Sequence, residues 1–221
     1  MTPDLRHIDV WLFDLDNTLY PMEAAFMGLI EKRMTAYVAR ELGLGHEDAF
    51  ALQKRYLREH GTTLAGLMAN HDIEPQAYLD EVHDVSLDSL VPDPALAQAL
   101  ERLPGRRLVF TNGDEPHARR VLEKLRLSHL FEAVFHIASA DFRPKPHPGT
   151  FDKLVADHAI DPRAAAFFED SEKNLAPGAA LGMTTVLVGP HAAASTAAFV
   201  HYRTDTLAQF LDDARAKETA Q

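Results

Sequence analysis

Cysteine is absent from the 221-residue chain, which excludes disulfides, thiolate metal sites and cysteine nucleophiles. Positive charge is scarce as well: 22 Lys and Arg stand against 33 Asp and Glu, for a formal net charge of -11. Such a chain has no cationic surplus to neutralise a nucleic-acid backbone or an anionic bilayer, so neither a nucleic-acid polymer nor a membrane is expected as partner. No apolar run approaches the ~18 residues of a spanning helix. Residues 1–9 carry acids and a proline where a secretory leader would have a basic and then an apolar stretch, so a cytoplasmic address is expected. Internal repeats and low-complexity tracts are missing too.

What remains is ordinary globular composition, 46% hydrophobic and 25% charged, enough for a sizeable core plus an insertion. Short runs rich in Val, Leu and Phe at 10–13, 108–110, 134–137, 164–168 and 185–188 alternate with stretches of helical period at 115–127, 151–157 and 175–181. That alternation predicts an α/β fold, a doubly wound parallel sheet covered by helices, with a weak last strand at 200–202, a helix at 207–214 and a frayed tail at 215–221. The stretch from Asp14 to Thr111 is far longer than the dozen or so residues of a helical crossover. It contains amphipathic segments at 23–41, 46–60 and 76–83, broken by Gly43, Gly45, Gly61 and Pro75. The division predicted is a core of 1–20 and 91–221 with a helical insertion at 21–90, the return marked by Val91, Pro92, Asp93 and Pro94 before a helix at 95–103.

Ligands of open α/β sheets bind beyond the carboxyl ends of the strands. There the chain places Asp14, Asp16, Asn17 and Thr18 after the first strand, and Thr111, Asn112 and Gly113 after the second. Lys145, between Pro144 and Pro146, follows the third, and Glu169, Asp170 and Ser171 the fourth. Asp14 and Asp16, two apart, project to one side of extended backbone and repel unless a cation or proton lies between them. With Asp170 added, hard oxygen ligands alone suit Mg²⁺, which completes its shell with water and substrate phosphate. Lys145, the Thr111 hydroxyl and the amides of Asn112 and Gly113 ahead of the helix holding Pro116 would then meet phosphate oxygens. Asp14 is the candidate nucleophile and Asp16 the candidate acid and base. Plainer readings stand beside these: Lys145 as a solvated loop cation, Glu169 to Ser171 as a helix cap.

These four motifs, Asp14-Leu15-Asp16-Asn17-Thr18, Thr111-Asn112-Gly113, Lys145 and Glu169-Asp170, resemble those of the haloacid dehalogenase-like superfamily. The resemblance implies a Rossmann-like core and a helical cap, with Asp14 as nucleophile and Asp16 as acid/base and main-chain metal ligand. It places Thr111 and Lys145 on phosphate, and Asp170, with Glu169 directly or through water, on Mg²⁺. The run from Phe13 to Pro21 and the stretch His60-Gly61-Thr62-Thr63-Leu64 look like the pyrimidine 5'-nucleotidase family, with weaker support from Val82-His83-Asp84. This implies a phosphatase for a small phosphorylated metabolite, a nucleoside 5'-monophosphate. Phosphatases or mutases acting on sugar phosphates or phosphoglycolate share the motifs, and a noncatalytic phosphate-binding module would share the fold. Phe26, Met27, Ile30, Met34 and Tyr37 form a stripe read as cap core, or as a dimer face in a monomer-or-homodimer protein; Tyr20 or Tyr56 is the aromatic to face a base. Among twelve histidines, His60, His83 and His147 lie near the site segments and are read as structural.

Overall fold

The computed structural model describes residues 4–216. Of the tail expected at 215–221, positions 215 and 216 end a helix and the remainder lies outside the described residues. Six strands form one parallel sheet: β1 (Val10–Phe13), β2 (Arg106–Phe110), β3 (Ala133–Phe135), β4 (Ala165–Glu169), β5 (Thr184–Val188) and β6 (Tyr202–Thr204), in the order β3-β2-β1-β4-β5-β6. Phe13 is in register with Val109 of β2 and Phe168 of β4, so the carboxyl ends of the three central strands finish level.

Alternate residues of each strand feed two apolar layers, as the period of two requires. Trp11, Phe13, Val109, Phe168 and Val186 pack against α5 (Pro94–Glu101), α6 (Glu115–Lys124) and α9 (Leu207–Ala216). Val10, Leu12, Leu108, Phe110 and Phe167 pack against α7 (Pro148–Asp157) and α8 (Glu172–Leu181). With both faces covered, a strand reads as an unbroken apolar run, which is why β1 stands where the sequence placed it. β2 begins two residues before its expected start, β3 ends two before its expected end, and β6 lies two residues beyond its expected position, a polar, half-buried edge strand without such a run.

Between β1 and α5 lie α1 (Phe26–Leu42), α2 (His46–His60), α3 (Thr63–Asn70) and α4 (Pro75–Val82). They share an apolar cluster of Tyr37, Val38, Ala49, Tyr56, Leu64, Leu67, Tyr78, Leu79 and Val82, into which Ile137 projects from beyond β3. Phe26, Ile30 and Leu90 belong instead to the sheet-side cluster, so the insertion's entry and exit are packed onto the core. Helix α3 is not predicted by the pattern: its near-continuous apolar sequence has no polar face to betray a helical period. It is started by the Thr62 hydroxyl, which accepts from Ala65 N at 3.1 Å. Gly66 lets it lie against α2, because a Cβ there would stand 2.3 Å from Tyr56 Cγ. No helix among the described residues is long and apolar enough to cross a membrane.

Candidate active site

Asp14 is the first residue past β1, and its N–H donates to Phe168 O of β4 at 2.9 Å, so the sheet's own ladder holds it. The chain then turns sharply, with Asn17 at φ 61 in the left-handed region that asparagine tolerates. The Asn17 amide donates to Asp170 Oδ2 at 3.3 Å, and the Thr18 hydroxyl to Asp14 Oδ2 at 3.4 Å. Asp14, Glu169 and Asp170 each offer an oxygen within 4.8 Å of the others.

Lys145 reaches this cluster from the loop after β3. It is 1% exposed, and its ammonium donates to Asp14 Oδ1 at 2.6 Å, Phe110 O at 2.7 Å and Glu169 Oε2 at 2.8 Å. Burial works against the charged form, but Asp14 and Glu169 outweigh it and raise its pKa. Lys145 is therefore no solvated loop cation. Asn112, expected to contact substrate, spends its side chain on this loop: Oδ1 accepts from Lys145 N at 2.8 Å and Nδ2 donates to Lys145 O at 3.3 Å. The Thr111 hydroxyl accepts from Gly113 N at 2.9 Å. The start of α6 is capped by Asp114, which accepts from His117 N at 3.1 Å, so Gly113 and His117 amides are engaged within the chain rather than set aside for an anion.

One ammonium cannot balance three carboxylates. Burial and the Glu169 charge push the Asp14 pKa up to about 7, and burial, with Asp170 nearby, pushes Glu169 up to about 7 against the pull of Lys145. Asp170 is raised by burial and by Asp14. The donor set is oxygen throughout, and Asn174 Oδ1, buried on the wall of the same cavity, has no partner. A hydrated divalent cation of the Mg²⁺ kind fits both observations, compensating the charge and offering water to the orphan acceptor. Glu169 is the poorest candidate for direct ligation, since Lys145 holds one oxygen and Ser171 N donates to the other at 3.1 Å.

Asp16 stands outside that cluster. Its Oδ1 accepts from Tyr20 Oη at 2.7 Å and is 3.1 Å from His117 Nε2. Burial alone would raise its pKa, but His117 and Tyr20 hold it below the usual range. Neither partnership is evident from the sequence. His117 lies on α6, its ring parallel to those of His83, at 4.2 Å, and Phe26, at 5.9 Å. His83 Nδ1 pairs with Asp114 Oδ1 at 2.9 Å, and Arg120 donates to His83 O, tying α6 to the end of α4. Tyr20 is thus committed to Asp16, and Tyr56 to His71 at 2.8 Å, so neither aromatic is turned to a substrate. His147 caps α7 through Gly149 N, and the His60 ring packs edge-on to Tyr56.

Asp14, Asp16, Thr111, Lys145, Glu169 and Asp170 all line one cavity of about 430 Å³. Its opposite wall comes from the insertion: Met27, Met34, Leu57, Tyr78, and Gly61 and Thr62 with the first two residues of α3, Thr63 and Leu64. The stripe on α1 is therefore divided, with Met27 and Met34 on the cavity wall and Phe26 and Tyr37 in apolar clusters.

A parallel α/β sheet with converging acids and a buried lysine at its carboxyl edge defines a Rossmann-like enzyme site. A family model for haloacid dehalogenase-like hydrolases matches residues 8–182, and the chain belongs to that family. It is 28% identical over 194 residues to phosphate metabolism protein 8 of Saccharomyces cerevisiae, an alignment covering 80% of this chain and 60% of the yeast protein. The chain thus spans about 60% of that relative's length. Among solved structures, a HAD phosphatase from Thermococcus onnurineus superposes with TM-score 0.62 at 18% identity, covering 97% of this chain and 99% of the other. A 2-haloacid dehalogenase from Pseudomonas syringae does so with TM-score 0.60 at 21% identity, covering 96% and 100%. At these identities the two structures establish the fold.

Proposed function

We propose that this hydrolase is a Mg²⁺-dependent phosphomonoester hydrolase working through an aspartyl-phosphate intermediate, with nucleoside 5'-monophosphates, pyrimidine ones foremost, as substrates. The observation that carries the reading is the carboxylate cluster of Asp14, Glu169 and Asp170, too acidic for Lys145 alone to balance. Displacing halide from carbon calls for no divalent cation and leaves nothing to protonate, so neither Asp170 nor Asp16 would have work in a dehalogenase.

Asp14, Asp170 and the Asp16 main chain would hold the ion, with Glu169 acting through water and as the anchor of Lys145. Bound there, magnesium supplies Lewis-acid charge to the phosphoryl oxygens. Asp14 attacks phosphorus as the bond to the leaving oxygen breaks, and the departing electron pair takes up a proton from Asp16, whose carboxyl must first be protonated against the pull of His117 and Tyr20, a change that the negative charge of a phosphate ester beside it favours. Asp16, then ionised, accepts a proton from the water that opens the aspartyl phosphate. Lys145 and the Thr111 hydroxyl neutralise and orient the phosphoryl group, and the Asn112 side chain keeps Lys145 in place.

Residues 21–90 act in this reading as a cap over a core of 1–20 and 91–221. The nucleotide preference is supported by the His60 to Leu64 stretch, of which residues 61–64 line the cavity facing Asp14. The partner is a small phosphorylated metabolite, the compartment the cytoplasm, and the protein a monomer or homodimer. Phosphate release from nucleoside monophosphates, sugar phosphates and phosphoglycolate, with Mg²⁺ or with chelator, tests the assignment against Asp14→Asn. Turnover that needs Mg²⁺ and vanishes in the variant is expected; turnover indifferent to chelator, or surviving in Asp14→Asn, would overturn it.

A further inference from the structure

Tyr20 and, in its Nε2-protonated form, His117 converge as donors on one oxygen of Asp16. Tyr20 Oη lies 2.7 Å and His117 Nε2 3.1 Å from Oδ1, while Oδ2 faces Gly113, where a Cβ would stand 3.9 Å from Oδ2 and 3.3 Å from the Thr111 hydroxyl. A carboxyl with both donors on one oxygen has its proton-carrying position restricted to the other, here Oδ2 beside Gly113. His117 is itself immobilised. Its side chain is 1% exposed, its main-chain N–H donates to Asp114 Oδ1, and its ring stacks on His83. A Cβ at Gly113 would press on its Cδ2 at 3.1 Å, so glycine there lets the imidazole come alongside.

The geometry points to His117 as the positioning residue for Asp16, the group that turns the Asp16 carboxyl so that Oδ2 presents its proton to the leaving oxygen. This rests on the phosphatase reading and extends it to a residue 101 positions from Asp16. In the step concerned, the bond from phosphorus to the leaving oxygen breaks, its electron pair stays on that oxygen, and the Asp16 proton joins it. His117 loses no proton and touches no substrate; it fixes a direction. Because His83 comes from the end of the insertion and Asp114 from the core, their pair stacks a cap residue on the group that aims the acid.

A packing role and a positioning role differ in how they depend on the leaving group. p-Nitrophenolate leaves without a proton, whereas an alkoxide needs one. Wild type, His117→Leu, His117→Gln and Tyr20→Phe are compared on p-nitrophenyl phosphate and on the alkyl phosphate that the wild type turns over fastest, with unfolding curves for each protein. A positioned acid contributes about 10²–10⁴-fold, so in single-turnover measurements of leaving-group release, which precede the hydrolysis of the aspartyl phosphate common to both esters, His117→Leu is expected to slow release from the alkyl ester by about 10–100-fold while release of p-nitrophenolate changes less than about 3-fold. His117→Gln, which keeps a donor at similar reach, should recover most of the loss, and Tyr20→Phe should show the same split to a smaller degree. Equal losses on both esters in every folded variant, or no loss on either, overturn the assignment. A wild type inactive on both esters overturns the phosphatase reading first, and the assignment with it.

Discussion

Replacing Lys145 with methionine removes the ammonium that holds Asp14 and Glu169 while conserving much of the side chain's volume. Both acids have folded pKa values of about 7, against roughly 4 in the unfolded chain. A raised acid contributes stability that is complete below the unfolded value and is lost as pH rises through the folded one. At pH 5.5, with chelator present, wild type and variant both carry these groups largely protonated and the buried ammonium has lost its counterions, so the substitution should cost at most about 1–2 kcal/mol, the hydrogen bond to Phe110 O and the packing. Above pH 7 the wild-type acids ionise against Lys145, whereas the variant must keep them protonated, at about 1.4 kcal/mol per pH unit for each. By pH 8.5 the two acids add about 4 kcal/mol, so the deficit should reach about 5–6 kcal/mol, at the upper end for a buried pair that has lost one partner. Urea unfolding of both proteins at pH 5.5 and 8.5 measures it. A deficit that is the same at the two pH values would refute the claim that Lys145 is a counterion and not a packing element.

Magnesium should raise Tm more at pH 8 than at pH 5.5, since it competes with protons for Asp14 and Asp170, both with raised pKa values; an equal shift at both would place the ion elsewhere. Gly66→Ala should destabilise by about 1–3 kcal/mol, as overpacking does, because its Cβ collides with the Tyr56 ring; urea denaturation with an unchanged midpoint would show that α2 and α3 can move apart freely. Asn112→Ala frees the Lys145 main chain and should lower kcat by about 10-fold, in line with the cost of misplacing a catalytic group, with little change in unfolding midpoint.

Residues at strand ends are legible because a parallel strand buried on both faces announces itself as an apolar run, and the residues just beyond its carboxyl end lie on the ligand-binding edge. That logic locates Asp14, Thr111, Glu169 and Asp170 on one cavity, which Lys145 reaches from a loop well past the end of β3. It cannot read the use of each side chain. Asn112 occupies the expected edge, yet its amide turns sideways to the Lys145 loop, a choice made by a contact 33 residues away. His117 is invisible for a similar reason: on α6 it is one polar residue in a helix of strong charge, and its role appears once the fold brings Asp16 alongside. Helix α3 escapes on local grounds, since a segment apolar on every side carries no period to detect.

Tyr20, Pro21 and Met22, where the chain leaves the sheet, border the same cleft as Val91, Asp93 and Leu96, where it comes back. A segment whose two ends are neighbours in space can be exchanged as a cassette with little disturbance to its host. Recombination or laboratory grafting at these junctions would then replace the cavity's far wall, with its Met27, Met34 and Tyr78, while Asp14, Lys145 and Asp170 keep their places at the sheet's carboxyl edge. New ester selectivities would be reached by trading one continuous stretch of coding sequence, subject to one condition: the incoming piece must again supply a partner for Asp114 where His83 now stands.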